Sequence, residues 1–318
     1  MRKFPAFTAV LCAFAALVIF PDAAALGVKT GMDICVKSII PSLFPFFVVS
    51  SLMTNTGLTA KIGRALSPVS ARLFHTSGCG GAAFIIGVTG GYPLGAAYVA
   101  DAYKCGQISR EEAERLIVFC NNSGPAFIIG AVGVGVFRSA AVGLFLYAVH
   151  ILAAMLYGVI FTGNEKTDAH FASSAPDTVF SKALTEAVKS SVGAMINVCG
   201  FVVAFSALVA LLDAGGAFSV LTGRLSALTG YELSYCRALL TGILELGSGI
   251  GSMTELKCTP QSLALAAFIL GWGGVSVHFQ SFSVIAETDI KASRYIFGRL
   301  VIAVFGAVIA FMCGKLFS

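Results

Sequence analysis

Charge is scarce in this sequence. Only 12% of its 318 residues are Asp, Glu, Lys or Arg and 57% are hydrophobic, whereas about 25% of a soluble domain is charged. A single core stops growing at roughly 250–300 residues, so this much apolar surface needs lipid as its solvent. The basic residues are scattered, with no basic face interleaved with aromatics, which excludes nucleic acid as a partner. The net charge of +5 reads as topology signal. Clustered thiols are also missing: nine cysteines stand singly and no C-x-x-C pair occurs. They read as small buried apolar residues, and neither a metal nor another cofactor is expected. There is no H-E-x-x-H, no G-x-S-x-G and no phosphate loop ending in Gly-Lys-Ser/Thr. No spacing links Ser, His and an acid, so an enzyme is not expected.

What the chain does have is long apolar runs broken by glycine, of which there are 35. Met1-Arg2-Lys3, the apolar run to Phe20 and Pro21-Asp22-Ala23 resemble a signal peptide. The alternative is a retained first span over residues 1–28, favoured because the apolar character runs on. An amphipathic stretch from Gly27 to Ser38 leads into an apolar segment at 39–53. Pro41 and Pro45 at its start predict a kink or a helix start there. Residues 80–103 are apolar but glycine-broken. Ser109 with Glu112 reads as a capping box opening the next helix, which runs into Asn121-Asn122-Ser123-Gly124-Pro125. Residues 139–162 form a plain span. The one long polar stretch, 163–181, is a linker on the cytoplasmic side between a first repeat (29–162) and a second (182–318). Apolar runs in the second repeat fall at about 190–212, 236–253, 261–285 and 295–316.

Features recur in the same order in both halves. Val36-Lys37-Ser38 is answered by Val188-Lys189-Ser190, Gly63-Arg64 by Gly223-Arg224, and Asn121–Pro125 by Gly271–Val275. Placing Arg2 and Lys3 inside puts Lys61, Arg64, Arg72, Lys104 and Lys182 inside if 80–103 is a re-entrant hairpin. Three crossings per repeat then make the two units antiparallel. Arg224, Arg237 and Lys257 fall outside, against the rule, beside Glu232 and Glu255. The expected fold is an all-α polytopic membrane protein. It has two inverted repeats of broken transmembrane helices and re-entrant hairpins, with about seven full spans plus two hairpins. Many secondary transporters are built this way.

Non-helical backbone at membrane depth survives only where it is buried in protein or lines a wet cavity. Four interruptions therefore become candidates. The first holds Thr89, Gly90, Gly91, Tyr92 and Pro93. The second is Asn121, Asn122, Ser123, Gly124 and Pro125. The third holds Glu245, Gly247, Ser248 and Gly249, and the fourth Gly273, Gly274, Ser276, His278 and Gln280. Thr89, Tyr92, Asn121, Asn122, Ser123, Ser248, Ser276 and Gln280 offer donors and acceptors to a substrate. The glycines and prolines supply hinges and freed N–H groups, which suit an anion. The plainer reading is that these side chains only brace neighbouring helices. A carboxylate such as Glu245 at membrane depth costs about 2.5–3.5 kcal/mol on insertion scales, so it faces protein or water. Glu245 and His278 are the candidates for proton coupling; paired core residues are the alternative.

Pro41-Ser42-Leu43-Phe44-Pro45-Phe46, Gly91-Tyr92-Pro93-Leu94-Gly95, Glu114-Arg115-Leu116 and Phe119 through Gly133 resemble the YlbJ-like sporulation integral membrane proteins. These belong to the wider nucleoside-recognition, or Gate-domain, group. The resemblance covers most of the chain and is strongest between residues 35 and 160. It implies a bacterial cell-membrane or forespore-membrane protein, related to transporters with re-entrant hairpins, whose candidate cargo is dipicolinic acid. The partners it implies are a small-molecule substrate, the lipid bilayer, and a homo-oligomer or other sporulation membrane proteins. A structural or assembly role in the spore envelope, without transport, stays open.

Overall fold

The computed structural model describes residues 4–161 and 179–317. Arg2, Lys3 and residues 163–178 of the expected linker lie outside the described residues. Every regular element described is helical. α1 (Phe4–Ile19) is followed by α2 (Pro21–Ile34) and α3 (Ile40–Asn55), which a π turn at Cys35–Ile39 joins into one 35-residue rod. The expected segment at 39–53 corresponds to α3, which opens with Pro41 in its first turn, but it continues the preceding stretch without a break. The break lies at Phe20, before Pro21, and the helix runs through Pro41 and Pro45. A widened turn is one way a helix absorbs a register fault, and here it sits just upstream of the prolines that would otherwise end the rod.

Then come α4 (Leu58–Phe74), α5 (Gly78–Gly90), α6 (Leu94–Lys104), α7 (Arg110–Cys120), a π helix (Ala126–Val136) and α8 (Ala140–Phe161). The second half runs α9 (Phe180–Ala214), α10 (Ala217–Thr229), α11 (Leu233–Leu244), α12 (Leu246–Gly251), α13 (Pro260–Trp272), α14 (Gly274–Ile285) and α15 (Ala292–Cys313). One order of parts thus occurs twice: a long rod, a shorter helix, a helical hairpin, an interrupted rod and a closing rod. Five helical segments among the described residues are long and apolar enough to cross a bilayer. The interrupted pair α7 and π helix makes a sixth rod. α1, at 16 residues, measures about 24 Å, short of the roughly 30 Å hydrocarbon core. Large apolar side chains such as Val10, Phe180, Ile196 and Leu228 point outward, as lipid contact requires.

The capping signals are local. Ser109 caps α7 by accepting the Glu112 N–H at 3.1 Å. The reciprocal half of the expected box is not made, because the Glu112 carboxylate instead accepts the Ser77 N–H at the start of α5, at 2.7 Å. Thr259 and Ser262 form a complete box at α13.

Loops gather at two faces. At one, Lys104 meets Glu287 at 2.9 Å and Arg110 meets Asp289 at 3.0 Å. There the Tyr103 hydroxyl also donates to Asp289 at 2.7 Å, so the hairpin base of the first half is tied to the α14–α15 loop of the second. At the other face Arg237 pairs with Asp213 at 2.8 Å, a local partner for a cation that breaks the positive-inside pattern. The Lys104 hydrogen bond and charge hold the Glu287 carboxyl below its ordinary range, and the Tyr103 hydrogen bond, with Arg110 nearby, does the same for Asp289. Groups depressed in the folded state stabilise it above their unfolded pKa and lose that contribution as the pH falls through the folded value. The tie is therefore intact at neutral pH and fades below about pH 4. Melting of detergent-purified protein is expected to distinguish the Glu287→Gln, Asp289→Asn double variant from wild type at pH 7 but not at pH 3. An equal gap at both would contradict this account.

Candidate functional site

Glycines decide how the interruptions meet. Gly91 has φ +89°, open to glycine at little cost, and a side chain there would lie 3.0 Å from the Gly124 N atom. The Gly91-Tyr92-Pro93 tip of the α5–α6 hairpin is therefore seated on the break between α7 and the π helix. Gly273 and Gly274 both have positive φ, and a side chain at Gly274 would lie 2.9 Å from the Leu246 N atom. The tip of the α11–α12 hairpin is seated on the α13–α14 break in the same way. Each half thus presses its own hairpin tip into its own broken rod.

Glu245 forms the second tip. Its Oε1 accepts the Gly247 N–H at 3.0 Å and its Oε2 accepts the Ser248 N–H, so the carboxylate caps α12 where the helix dipole favours negative charge. The residue is 1% exposed. It lines a cavity of about 40 Å³ with Tyr92, Ser123, Gly124, Gln280 and the apolar Val198 and Val202 of α9. That volume holds water-sized occupants, not an organic solute. Residues from both halves line it.

The structure sorts the expected residues into four groups. Tyr92, Ser123, Glu245, Gly124, Gly247 and Gln280 meet at the cavity. Gly90, Pro93, Pro125, Gly249, Gly273 and Gly274 shape the tips and breaks. Ser276 is fully buried close to Glu245, and the Ser248 hydroxyl reaches Ser206 at 3.4 Å.

The other expected residues face elsewhere. Asn121 is a brace: its Nδ2 donates to Ser281 at 2.8 Å and Tyr295 at 3.0 Å, and its Oδ1 accepts the Ala96 N–H at 3.3 Å. Asn122 donates to the Phe119 carbonyl at 2.6 Å and its buried Oδ1 has no partner. Thr89 does not reach the cavity. It is exposed on the outer side of α5 and turns its hydroxyl back to the Ile85 carbonyl at 2.6 Å. His278 is off the cavity as well. Its Nδ1 donates to the Gly274 carbonyl at 2.6 Å and its ring packs 4.3 Å from that of Trp272.

Sequence reasoning missed two buried groups. His150 of α8 accepts the Ser123 N–H on Nε2 at 3.1 Å, satisfying a donor freed by the break. Arg299 of α15 is 0% exposed. Its Nη1 donates to the carbonyls of Asn121 at 3.0 Å and Val118 at 3.4 Å. Its Nη2 donates to the Tyr92 hydroxyl and, at 3.5 Å, to the Leu270 carbonyl. The signal was present: an arginine inside an otherwise apolar span. Among the described residues no three His, Cys, Asp or Glu side chains group as a metal site.

A family model described as "Nucleoside recognition", the Gate model, matches residues 36–159, the stretch carrying the first hairpin and the first broken rod. The chain is also 33% identical to the sporulation integral membrane protein YlbJ of Bacillus subtilis (strain 168), over 95% of this chain and 80% of that protein. The chain belongs to the YlbJ family of sporulation integral membrane proteins. It is an integral membrane protein. No solved structure matches it.

Membership of this family makes Asn121 a useful position at which to separate bracing from solute contact. Replacing it by alanine leaves the Ala96 N–H without its acceptor and takes a donor from the Ser281 and Tyr295 hydroxyls, which keep each other at 3.2 Å. Each buried polar group so stranded costs about 1–3 kcal/mol. The Asn121→Ala variant is expected to lose several degrees of melting temperature, whereas Thr89→Ala, losing only a bond within its own helix, stays near wild type. Equal melting temperatures for the two would refute the assignment of Asn121 as a brace.

Proposed function

We propose that this protein is a secondary transporter or facilitator for a small anionic or aromatic metabolite, with dipicolinic acid as the candidate cargo. The observation that carries the proposal is the meeting of two hairpin tips and two broken rods around one small cavity lined by Glu245, Ser123 and Gln280. Polar atoms at membrane depth are expensive, and a solute path gives them a use. The repeated order of parts supports inverted repeats. Between the start of the α2–α3 rod and the start of α9 the chain crosses three times, with the hairpin returning to its own side, so the second unit runs opposite to the first. Two antiparallel units closing on one site are the construction expected of alternating access, and the 40 Å³ cavity corresponds to its closed stage.

A second reading is favoured by a specific observation. Every polar atom of Asn121 is used by the protein itself, as in a structural or assembly protein of the spore envelope. A nucleoside-type cargo is a third option, prompted by the wording of the family model. Uptake into proteoliposomes decides among them. Dipicolinate, nucleosides and a neutral control are supplied with and without a proton gradient. Flux of dipicolinate or of a nucleoside chooses the cargo, and absence of all flux removes the transport reading.

A further inference from the structure

We propose that Arg299 is an anion-binding group of the transport site, screened from the cavity by Tyr92, and that its ligand is a carboxylate of the cargo. The inference rests on the transport reading above and names the group that reads the cargo's charge.

Arg299 lies about 10 Å along α15 from the start of that helix and is fully buried. A buried guanidinium is expected to have a carboxylate beside it, yet Arg299 makes no ion pair among the described residues. Its acceptors are three carbonyls and one phenol. The carbonyls of Val118 and Asn121 stand at the end of α7 and that of Leu270 near the end of α13, so the negative ends of two half-helices hold the cation in place. They use Nη1 and part of Nη2. The remaining edge of the guanidinium plane is formed by Nε and Nη2. There the Tyr92 oxygen takes Nη2 alone, and Nε has no partner. A single phenol oxygen half-fills a fork that a carboxylate fills with two parallel bonds.

Tyr92 is also the link to the cavity. Its side chain lines the cavity beside Glu245, Ser123 and Gln280, while its hydroxyl donates to Leu270 at 3.2 Å and its ring centroid lies 5.2 Å from the Arg299 Cζ. It sits on the hairpin tip, next to Gly91. A solute carboxylate entering between the tips meets the tyrosine first. Displacing the phenol exchanges one bond to a neutral acceptor for two to an ionised one.

The test is binding of dipicolinate, its monocarboxylate analogue picolinate and its neutral diamide to purified protein, read by equilibrium titration and by melting temperature. Both acids are expected to bind and raise the melting temperature, and the diamide is not. Arg299→Lys, which keeps the charge but loses the fork, is expected to weaken dipicolinate binding about tenfold or more. Tyr92→Phe, which vacates the edge, is expected to tighten it. Binding unchanged in Arg299→Lys, equal binding of the diamide, or no binding of either acid overturns the proposal. If Arg299→Lys does not fold, Tyr92→Phe decides, and no gain in its affinity for the acids overturns it. Flux in proteoliposomes with an unaltered half-saturating concentration in Arg299→Lys would remove this site and leave the transport reading standing. Anion binding that needs Arg299, without any flux, does the reverse.

Discussion

A single methyl group added at Gly95 is expected to lower the recovery and the melting temperature of folded protein well below those of wild type. Gly87 of α5 and Gly95 of α6 both face the Cys120 carbonyl at the end of α7, and a side-chain carbon built on either collides with that oxygen. At Gly95 the carbon would also lie 3.0 Å from the Asn121 Cα. All these neighbours are backbone, so no side chain can turn aside, and the hairpin must shift as a body. Overpacking a tight core costs about 1–3 kcal/mol and occasionally more. Here the shift also disturbs the seating of Gly91 on Gly124 and the Ala96 bond to Asn121, so the cost falls at the high end, against a total stability of about 5–15 kcal/mol. Gly193 and Gly200 of α9 are the control, because a side chain at either meets nothing within 4 Å. Alanine there is expected to be neutral or to stabilise by about 0.5–1 kcal/mol. The measurement is the yield of monodisperse protein after detergent extraction, followed by its melting temperature. A Gly95→Ala protein that melts with wild type would mean that the hairpin does not clasp α7 as described.

Much of this architecture was legible because the bilayer enforces simple rules. Apolar runs had to be spans, and Gly91-Tyr92-Pro93, Asn121–Pro125, Glu245 and Gly273-Gly274 could not continue a helix. All four proved to be breaks or tips. What spacing cannot give is the direction of a side chain at a break, where the helical period is lost. Asn121, Asn122 and Ser123 are adjacent, yet one braces Ser281 and Tyr295, one bonds its own helix end, and one lines the cavity. Thr89 precedes the tip by three residues but still obeys the α5 period, which turns it outward. The Glu112 carboxylate went to Ser77 and not to its own cap because a donor 35 residues away in sequence lies nearer in space. Arg299 was passed over for a different reason. The reading sought polarity where the backbone broke, while this cation stands in an unbroken helix and reaches across to the broken ones. His150 escaped in the same way.

Glu245→Gln is expected to leave the fold in place and remove gradient-driven accumulation of solute. The glutamine carbonyl oxygen still accepts one of the two N–H bonds now made by Gly247 and Ser248, the other N–H loses its acceptor at about 1–3 kcal/mol, and the side chain keeps its volume, so the second tip stays seated on Gly274. The titratable proton is what disappears. Glu245 faces the same cavity as Tyr92, behind which Arg299 waits. An anion arriving there is repelled by a charged Glu245 and accepted by a protonated one. On the transport reading proposed above, cargo and proton would then enter together, and a gradient would drive the pair. With glutamine the repulsion and the proton are both absent: exchange of labelled for unlabelled solute continues, while uptake against a concentration gradient falls at least tenfold, to the level seen without a proton gradient. The two assays on one preparation separate coupling from folding. Undiminished gradient-driven uptake by Glu245→Gln would show that another group carries the proton. In spores the same variant distinguishes the two readings of the protein. An envelope scaffold tolerates Glu245→Gln and fails with Gly95→Ala, whereas a proton-coupled transporter fails with both.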